Sequence, residues 1–385
     1  MMKSPLNLAL IANYPPDGQY SMQRFADLLE SGMRELGVNV TRIEPKRILG
    51  GKGALSKWRG YVDKFVLFPR HARHVMNQLT SRGEKVIVHI CDHSNAPYLQ
   101  LCEGLPTLIT CHDVMAIKSG LGLVPQNPTR LSGRLLQKWI FRHLKDAPFT
   151  ACVSEKTRHD LQTLSSLPDE RLTVIPNALP FPFSPVPTDE AERLTPDAKG
   201  PFYLHVGSNA WYKNRVGTFA LYRALLRSQP EARMVFVGPP DPALRQAIDK
   251  HFLRARVSFL TGLSNEQLAG LYSRAECLLF PSWEEGFGWP IAEAQACGCP
   301  VAILDRPPMS EVGGSAAISL PGPSTNPKKT DEWAQRCAPL ILDALKRREE
   351  LKANGIEQVR KYTPTRMIHA YHELYQQLTQ APLRQ

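Results

Sequence analysis

Residues 278–303 read LLFPSWEEGFGWPIAEAQACGCPVAI. The apolar run that ends at Phe280 and is closed by Pro281 has the length and character of a short buried strand. Gly286 and Gly288 then mark a loop. Pro290 suits the first turn of a helix, where its missing amide hydrogen costs nothing. The run beginning at Val301 reads as the next strand, so the stretch is a strand, a glycine loop, a helix and a parallel strand. Glycines let backbone amides approach a ligand, and a helix N-terminus favours anions. Glu285 on the loop and Glu293 in the helix suit the hydroxyl groups of a ligand better than its phosphates. The plainer reading makes Glu293 a complement to the helix dipole and Glu285 a solvated loop acid.

The same alternation extends outward in both directions. LNLALIA, GVNVTRIEP, KVIVHI, PTLITCHD, PFTACVS and LTVIPNA are strand candidates of the first half, separated by amphipathic stretches such as SMQRFADLLESGMREL and TRLSGRLLQKWIFRHLK. From Pro176 to Pro201 seven prolines fall in 26 residues, the texture of a linker. FYLHVGS, ARMVFVG, RVSFLTG, ECLLFPS and PVAIL then repeat the pattern, and Ser264 is the expected N-cap of SNEQLAGLYSRA. The expected fold is α/β, with two doubly wound domains facing a central cleft. Their bounds are 1–185 and 186–363, with a helix in 364–385 that either completes the second domain or crosses back to the first. Ligands of such sheets bind beyond the carboxyl ends of the strands.

Composition narrows the classes. The chain has 385 residues, 43 % of them hydrophobic and 22 % charged, which excludes a disordered or fibrous protein. No apolar stretch reaches the roughly 18 to 20 residues that a membrane-crossing helix needs. The opening MMKSPLNLALIANYPPDG has too brief an apolar run for a signal peptide. Eight scattered cysteines form no C-x-x-C pair, and Cys297 and Cys299 lack a second ligand pair, so no metal site is expected. These features give a reduced, cytoplasmic protein. The formal charge is +11, of which +8 falls in residues 1–185. Residues 42–85 alone hold 11 basic and 3 acidic side chains, interleaved with aromatics in LSKWRGYVDKFVLFPRHARHV. They are either a solvated helix face with a basic loop or a patch, Lys57, Arg59 and Lys64, for anionic lipid or a phosphate-bearing acceptor. No zinc finger, helix-turn-helix or RNA-recognition pattern is present, so nucleic acid is not an expected partner.

The 278–303 stretch resembles the signature of the family-4 glycosyltransferases, P-S-x-x-E-G-F-G-x-P-x-x-E-A-x-A-x-G-x-P-V. These are retaining, nucleotide-sugar-dependent enzymes with the two-domain GT-B fold. The resemblance is strong over about 203–320 and looser before it. It implies that Glu285 contacts hydroxyls of the donor sugar, that the amides of Gly286, Phe287 and Gly288 surround the sugar and its diphosphate, and that Glu293 binds the ribose. HVGSNAWYKNR resembles the family's second glycine loop, with Gly207 at its turn and Lys213 as the diphosphate-binding lysine. Ser208 and Asn209 stand where many relatives carry an arginine, so either Lys213 acts alone or Arg215 supplies a second cation. Backbone groups near Thr261, Gly262 and Leu263 would receive the base, and Glu311 would close that pocket.

In the first half, YPPDGQY resembles the family's first glycine loop, with Gly18 and Gln19 near the donor phosphate or acceptor. His112 and Asp113 resemble a His-Asp pair whose histidine lies by the reacting sugar. Ser154 caps a helix, and Asn177 lies near the hinge. The resemblance implies transfer of a hexose from a UDP or GDP sugar to an acceptor hydroxyl, with retention, no cofactor and no metal, and with catalytic roles for His112, Lys213 and Glu285. The acceptor would be a cell-envelope glycan, glycolipid or related molecule, reached from the cytoplasmic side or the inner face of the plasma membrane. A noncatalytic nucleotide-sugar sensor on the same fold is the alternative.

Overall fold

The structure, a computed structural model, describes residues 6–50, 56–81, 85–323 and 329–380. The chain divides into two compact units, one of residues 1–180 with 364–385 and one of residues 181–363.

The first unit is built on six parallel strands, β1 (Asn7–Ile11), β2 (Asn39–Ile43), β3 (Val86–Ile90), β4 (Thr107–Cys111), β5 (Thr150–Cys152) and β6 (Leu172–Val174). Their order is β2-β1-β3-β4-β5-β6. β1 and β3 are buried along their whole length, which explains why neither shows the apolar–polar alternation of a half-exposed strand. The chain leaves β1 toward β2 and returns on the other side as β3, so the β1/β3 junction is a topological switch point. One face of this sheet packs against the helices Tyr20–Glu35 and Pro364–Gln380, through Leu29, Met33, Tyr371 and Tyr375. Where these helices meet, a Cβ on Gly32 would lie 2.6 Å from Ile368. Beneath them His89 is fully buried, its Nδ1 2.6 Å from the Tyr375 hydroxyl and its Nε2 2.7 Å from Thr110 Oγ1. The terminal helix is thus part of the first unit's core. Residues 381–385 of the segment lie outside the described residues.

The second unit repeats the design with β7 (Phe202–Val206), β8 (Arg233–Val237), β9 (Val257–Leu260), β10 (Cys277–Phe280), β11 (Val301–Leu304) and β12 (Ile318–Leu320). All are parallel in the order β12-β11-β10-β7-β8-β9, with the switch point between β7 and β10. β12 is absent from the sequence reading. It has only three residues and exposes Ser319, too little for a periodicity to show. The proline-rich stretch also differs from a plain linker, since Thr188–Leu194 is helical and buries Ala191. Ser264 caps Asn265–Arg274 in a full capping box with Gln267, and Ser154 caps Glu155–Ser165 by accepting from Thr157 N. All eight cysteines are free and buried.

Candidate active site

At the second unit's switch point two loops are tied to one another. After β7 the chain turns at Gly207, forms a 3-10 turn at Trp211–Lys213 and enters the helix Arg215–Leu225. After β10 it runs through Pro281–Gly288 into the helix Trp289–Ala296, with Gly288 at φ 102°, a conformation that favours glycine. Trp283 N donates to Tyr212 O at 2.7 Å, and Asn214 Nδ2 donates to Pro281 O at 3.0 Å. These bonds bring Lys213 and Glu285 together. Nζ donates to Oε1 at 2.8 Å and to Oε2 at 2.9 Å, with the ammonium 5.0 Å from the centre of the Phe280 ring. Glu293 lies one turn into the following helix and is buried, accepting from the Tyr272 hydroxyl at 2.9 Å. Burial, and next the negative charge of Glu293, push that phenol well above its usual range.

The carboxyl ends of β7, β8 and β9 continue the row away from this pair. Gly207 N donates to Val237 O, and Gly238 N donates to Leu260 O. Gly238 has φ 123°, and a Cβ there would lie 2.3 Å from Gly207 O, so only glycine fits. Thr261 and Gly262 follow β9 on an exposed loop that ends at the partly exposed Leu263. Two strand spacings separate β7 from β9, about 10 Å, the reach between a phosphate and the base of a nucleotide. Arg215 is placed differently from Lys213. Its side chain is 3 % exposed, packs 5.2 Å from the Phe236 ring centre, and donates to Asn209 Oδ1 and Pro239 O. Burial lowers its pKa, with Asp241 at 3.6 Å opposing the shift. Arg215 braces the loops after β7 and β8, and Ser208 stands exposed on the first of them.

Two family models together cover most of the chain: Glycosyltransferase Family 4 matches residues 22–180, and Glycosyl transferases group 1 matches residues 188–358. The chain belongs to the family-4 glycosyltransferases. Among its relatives is O-antigen chain mannosyltransferase B of Escherichia coli, 26 % identical over an alignment of 255 residues that covers 62 % of this chain and 64 % of the relative. The chain thus spans slightly less than two thirds of that protein's length. In structure it resembles sucrose-phosphate synthase from Thermosynechococcus elongatus, with a TM-score of 0.72 at 19 % identity, covering 98 % of this chain and 100 % of the other. It also resembles Anabaena HepE in complex with UDP and glucose, with a TM-score of 0.67 at 14 % identity, covering 96 % and 99 %. Both units therefore have the Rossmann-like form of the GT-B fold.

In this family-4 glycosyltransferase the first unit's switch point gathers a second polar cluster. Asn13 Nδ2 lies 2.6 Å from Asp92 Oδ2 and 2.6 Å from Gln19 Oε1, and Asn95 Nδ2 donates to Asn13 Oδ1 at 3.1 Å. Gly18, at φ 67°, makes the turn that delivers Gln19. His112 follows β4, buried, with its ring edge-on to Phe25 at 4.8 Å and Nε2 2.9 Å from Cys91 O. A carbonyl accepts only, so Nε2 carries the hydrogen. Burial lowers the imidazole pKa and keeps the ring neutral, leaving Nδ1 as an acceptor that has no partner among the described residues. Next to it Asp92 and His93 form an ion pair at 3.2 Å, off the line of a hydrogen bond. Burial opposes both charges, but each partner stabilises the other, lowering the Asp92 pKa and raising that of His93. Asp113 instead accepts from Met115 N at 2.8 Å, a turn-capping bond.

Of the three cations expected to act as a patch, Lys57 and Lys64 line one cavity of the first unit. Lys57 and Arg59 are exposed, whereas the Lys64 side chain is 14 % exposed and donates to Asp17 Oδ2 at 2.7 Å. Lys64 is an internal ion-pair partner, because the helix turns it toward the first glycine loop and the Tyr14 and Tyr61 rings. Lys52, Arg82 and Glu84 of the basic segment lie outside the described residues. Sequence reasoning missed Asp63, which is buried and accepts from the amides of Ile48, Leu49 and Gly50 and from the Tyr14 hydroxyl. It also missed Asn13, Asp92 and Gly238. For Gly238 the signal was there, a glycine directly after the strand ARMVFV, as at Gly207. Tyr14, Gln19, Arg47, Lys57 and Asn95 line a cavity of about 620 Å³ within the first unit.

Proposed function

We propose that the chain transfers a hexose, with retention, from a UDP or GDP sugar to a hydroxyl of a cell-envelope glycan or glycolipid. The buried Lys213–Glu285 pair at the β7/β10 switch point carries this reading. Lys213 and the amides of Gly286, Phe287 and Gly288 supply positive potential for a departing diphosphate, and Glu285 supplies an acceptor for sugar hydroxyls. Thr261, Gly262 and Leu263 receive the base, and Glu293 the ribose. The bond from the anomeric carbon to the diphosphate breaks as the acceptor oxygen bonds the same face. The acceptor proton passes to the departing phosphate oxygen. His112, neutral and with a buried Nδ1 that has no partner among the described residues, is the proposed acceptor of a hydrogen bond from a sugar hydroxyl.

The positive charge comes from the protein itself, so the reaction runs without a divalent ion or cofactor. The mannosyltransferase relative and the neighbour holding UDP and glucose support this class of chemistry. Among the described residues no helix is long and apolar enough to cross a membrane. The proposed site of action is the cytoplasmic side, at the inner face of the plasma membrane.

A screen of UDP and GDP sugars tests the proposal. One donor raises the melting temperature, and nucleoside diphosphate is released in EDTA only when a hydroxyl acceptor is present. Proton NMR of the product then shows the donor's anomeric configuration. Stabilisation without release in the presence of any acceptor, or an inverted product, would overturn it.

A further inference from the structure

Two helices of the first unit carry exposed apolar stripes for which neither the fold nor the proposed reaction has a use. On Leu131–Lys145 the side chains of Leu131, Leu135 and Trp139 recur every fourth residue and are 73 %, 61 % and 37 % exposed. An adjoining row, Arg134, Lys138 and Arg142, is exposed at the same spacing. On the helical segment Ser56–Thr80, Trp58, Val62 and Val66 are 61 %, 36 % and 47 % exposed, flanked by Lys57, Arg59 and Arg70. The stripes meet where Phe65 packs edge-on against Trp139, 4.9 Å between ring centres. Asp63 fixes the loop bearing the exposed Ile48 and Leu49 to the same segment.

Charge identifies what covers this face. Leu131–Lys145 contains no acidic residue. In Ser56–Thr80 the one acid is Asp63, which is buried and bonded. Exposed leucine, valine and tryptophan rimmed by arginine and lysine without a compensating acid is the pattern of a helix lying in a lipid interface. There the apolar row enters the headgroup boundary and the basic row meets anionic lipid. A second copy of the chain would bring the same uncompensated positive charge against itself.

We infer that the paired faces of Ser56–Thr80 and Leu131–Lys145 form a docking surface for an anionic lipid bilayer. The inference sharpens the membrane location in the proposed function by naming the surface. It replaces a patch of three lysine and arginine side chains by two apolar stripes with basic borders, from which Lys64 is excluded by its bond to Asp17.

The full chain is pelleted with vesicles of equimolar phosphatidylglycerol and phosphatidylcholine, and with phosphatidylcholine alone. It binds the first, weakly or not at all the second, and less as salt rises. Arg134→Ser with Lys138→Ser lowers binding roughly thirty-fold at low salt, at about one basic side chain's worth of attraction each. Leu131→Ser with Leu135→Ser also lowers it, with circular dichroism and melting unchanged because both leucines are exposed. Equal binding to both vesicle types, no binding, or variants that bind like the parent would overturn the inference. So would a concentration-dependent dimer, seen by sedimentation velocity and abolished by Leu135→Ser. Vesicle binding needs no turnover, and donor release is measured without vesicles, so failure here is distinct from failure of the glycosyltransferase reading.

Discussion

Lys213 Nζ is bonded to both carboxylate oxygens of Glu285, and each residue is less than a tenth exposed. Each charge is compensated by the other. Removing either partner strands the second in a buried site, at a cost of about 3 kcal/mol. Lys213→Ala and Glu285→Ala are therefore expected to lower the melting temperature more than the double variant Lys213→Met with Glu285→Gln, which leaves no charge behind. Each single variant also loses transfer by about a hundredfold or more, the usual effect of deleting one preorganised electrostatic group. Near-parental turnover in both single variants would remove this pair from the reaction.

Gly238 and Gly18 both have positive φ but differ in what surrounds them. A Cβ at Gly238 strikes the Gly207 carbonyl oxygen at 2.3 Å, whereas one at Gly18 meets nothing within 4 Å. Gly18→Ala is expected to cost only backbone strain, about 1 kcal/mol. Gly238→Ala must also displace the carboxyl end of β7, so it costs about 2–3 kcal/mol and weakens donor binding. Denaturant unfolding and donor titration by calorimetry measure the two effects. Equal losses for the two variants would contradict the close approach of the β7 and β8 ends.

The sequence motifs carried much of this arrangement but not its pairings. Residues 278–303 announce a strand, loop and helix, and the V-G pattern before Lys213 announces another, so both halves of the site are legible. Their meeting is not, because Lys213 and Glu285 are 72 residues apart and touch only because β7 pairs with β10. Asp63 looks like a solvated acid on a basic helix, since three of its four partners are backbone amides that side-chain patterns do not reveal. Arg215 opens a helix as an anion ligand would, yet the acceptors that hold it follow β7 and β8. The apolar stripe on Leu131–Lys145 is visible as a four-residue period. Which face is exposed depends on the sheet beneath it.

Asp63 offers a graded test of buried hydrogen bonding. Oδ2 accepts from Gly50 N at 2.9 Å, Ile48 N at 3.2 Å and Tyr14 Oη at 2.7 Å, while Oδ1 accepts from Leu49 N at 2.8 Å. Asp63→Asn replaces one oxygen by an amide group that cannot accept, so at least one backbone N–H is left facing a donor. The expected cost is about 2 kcal/mol, against about 1 kcal/mol for Tyr14→Phe, which deletes a single bond. Urea unfolding of the two variants gives the comparison. A larger loss for Tyr14→Phe would mean that the loop is held by the tyrosine ring rather than by the carboxylate.

Acid sensitivity should trace to buried histidines before it traces to carboxylates. Burial, with a smaller push from His112, lowers the pKa of His89 to about 3, and burial likewise lowers that of His205 to about 3. Above about pH 7.5 neither folded nor unfolded chain protonates them appreciably, and they contribute almost no pH dependence. As the pH falls through 6.5, the unfolded chain binds protons that the folded chain refuses, so stability is lost progressively down to about pH 3. Each such histidine contributes about 1.4 kcal/mol per pH unit once the unfolded form is fully protonated. His112, lowered by burial, acts in the same direction, while His93 acts oppositely because its pKa is raised beside Asp92. His89→Gln keeps polar atoms facing Tyr375 and Thr110 but cannot titrate. It is expected to be less stable at pH 7.5 and to lose less on going to pH 5, narrowing the gap to the parent by about 2 kcal/mol. Parallel stability curves for parent and variant between pH 7.5 and 5 would show that His89 binds its proton equally in both states.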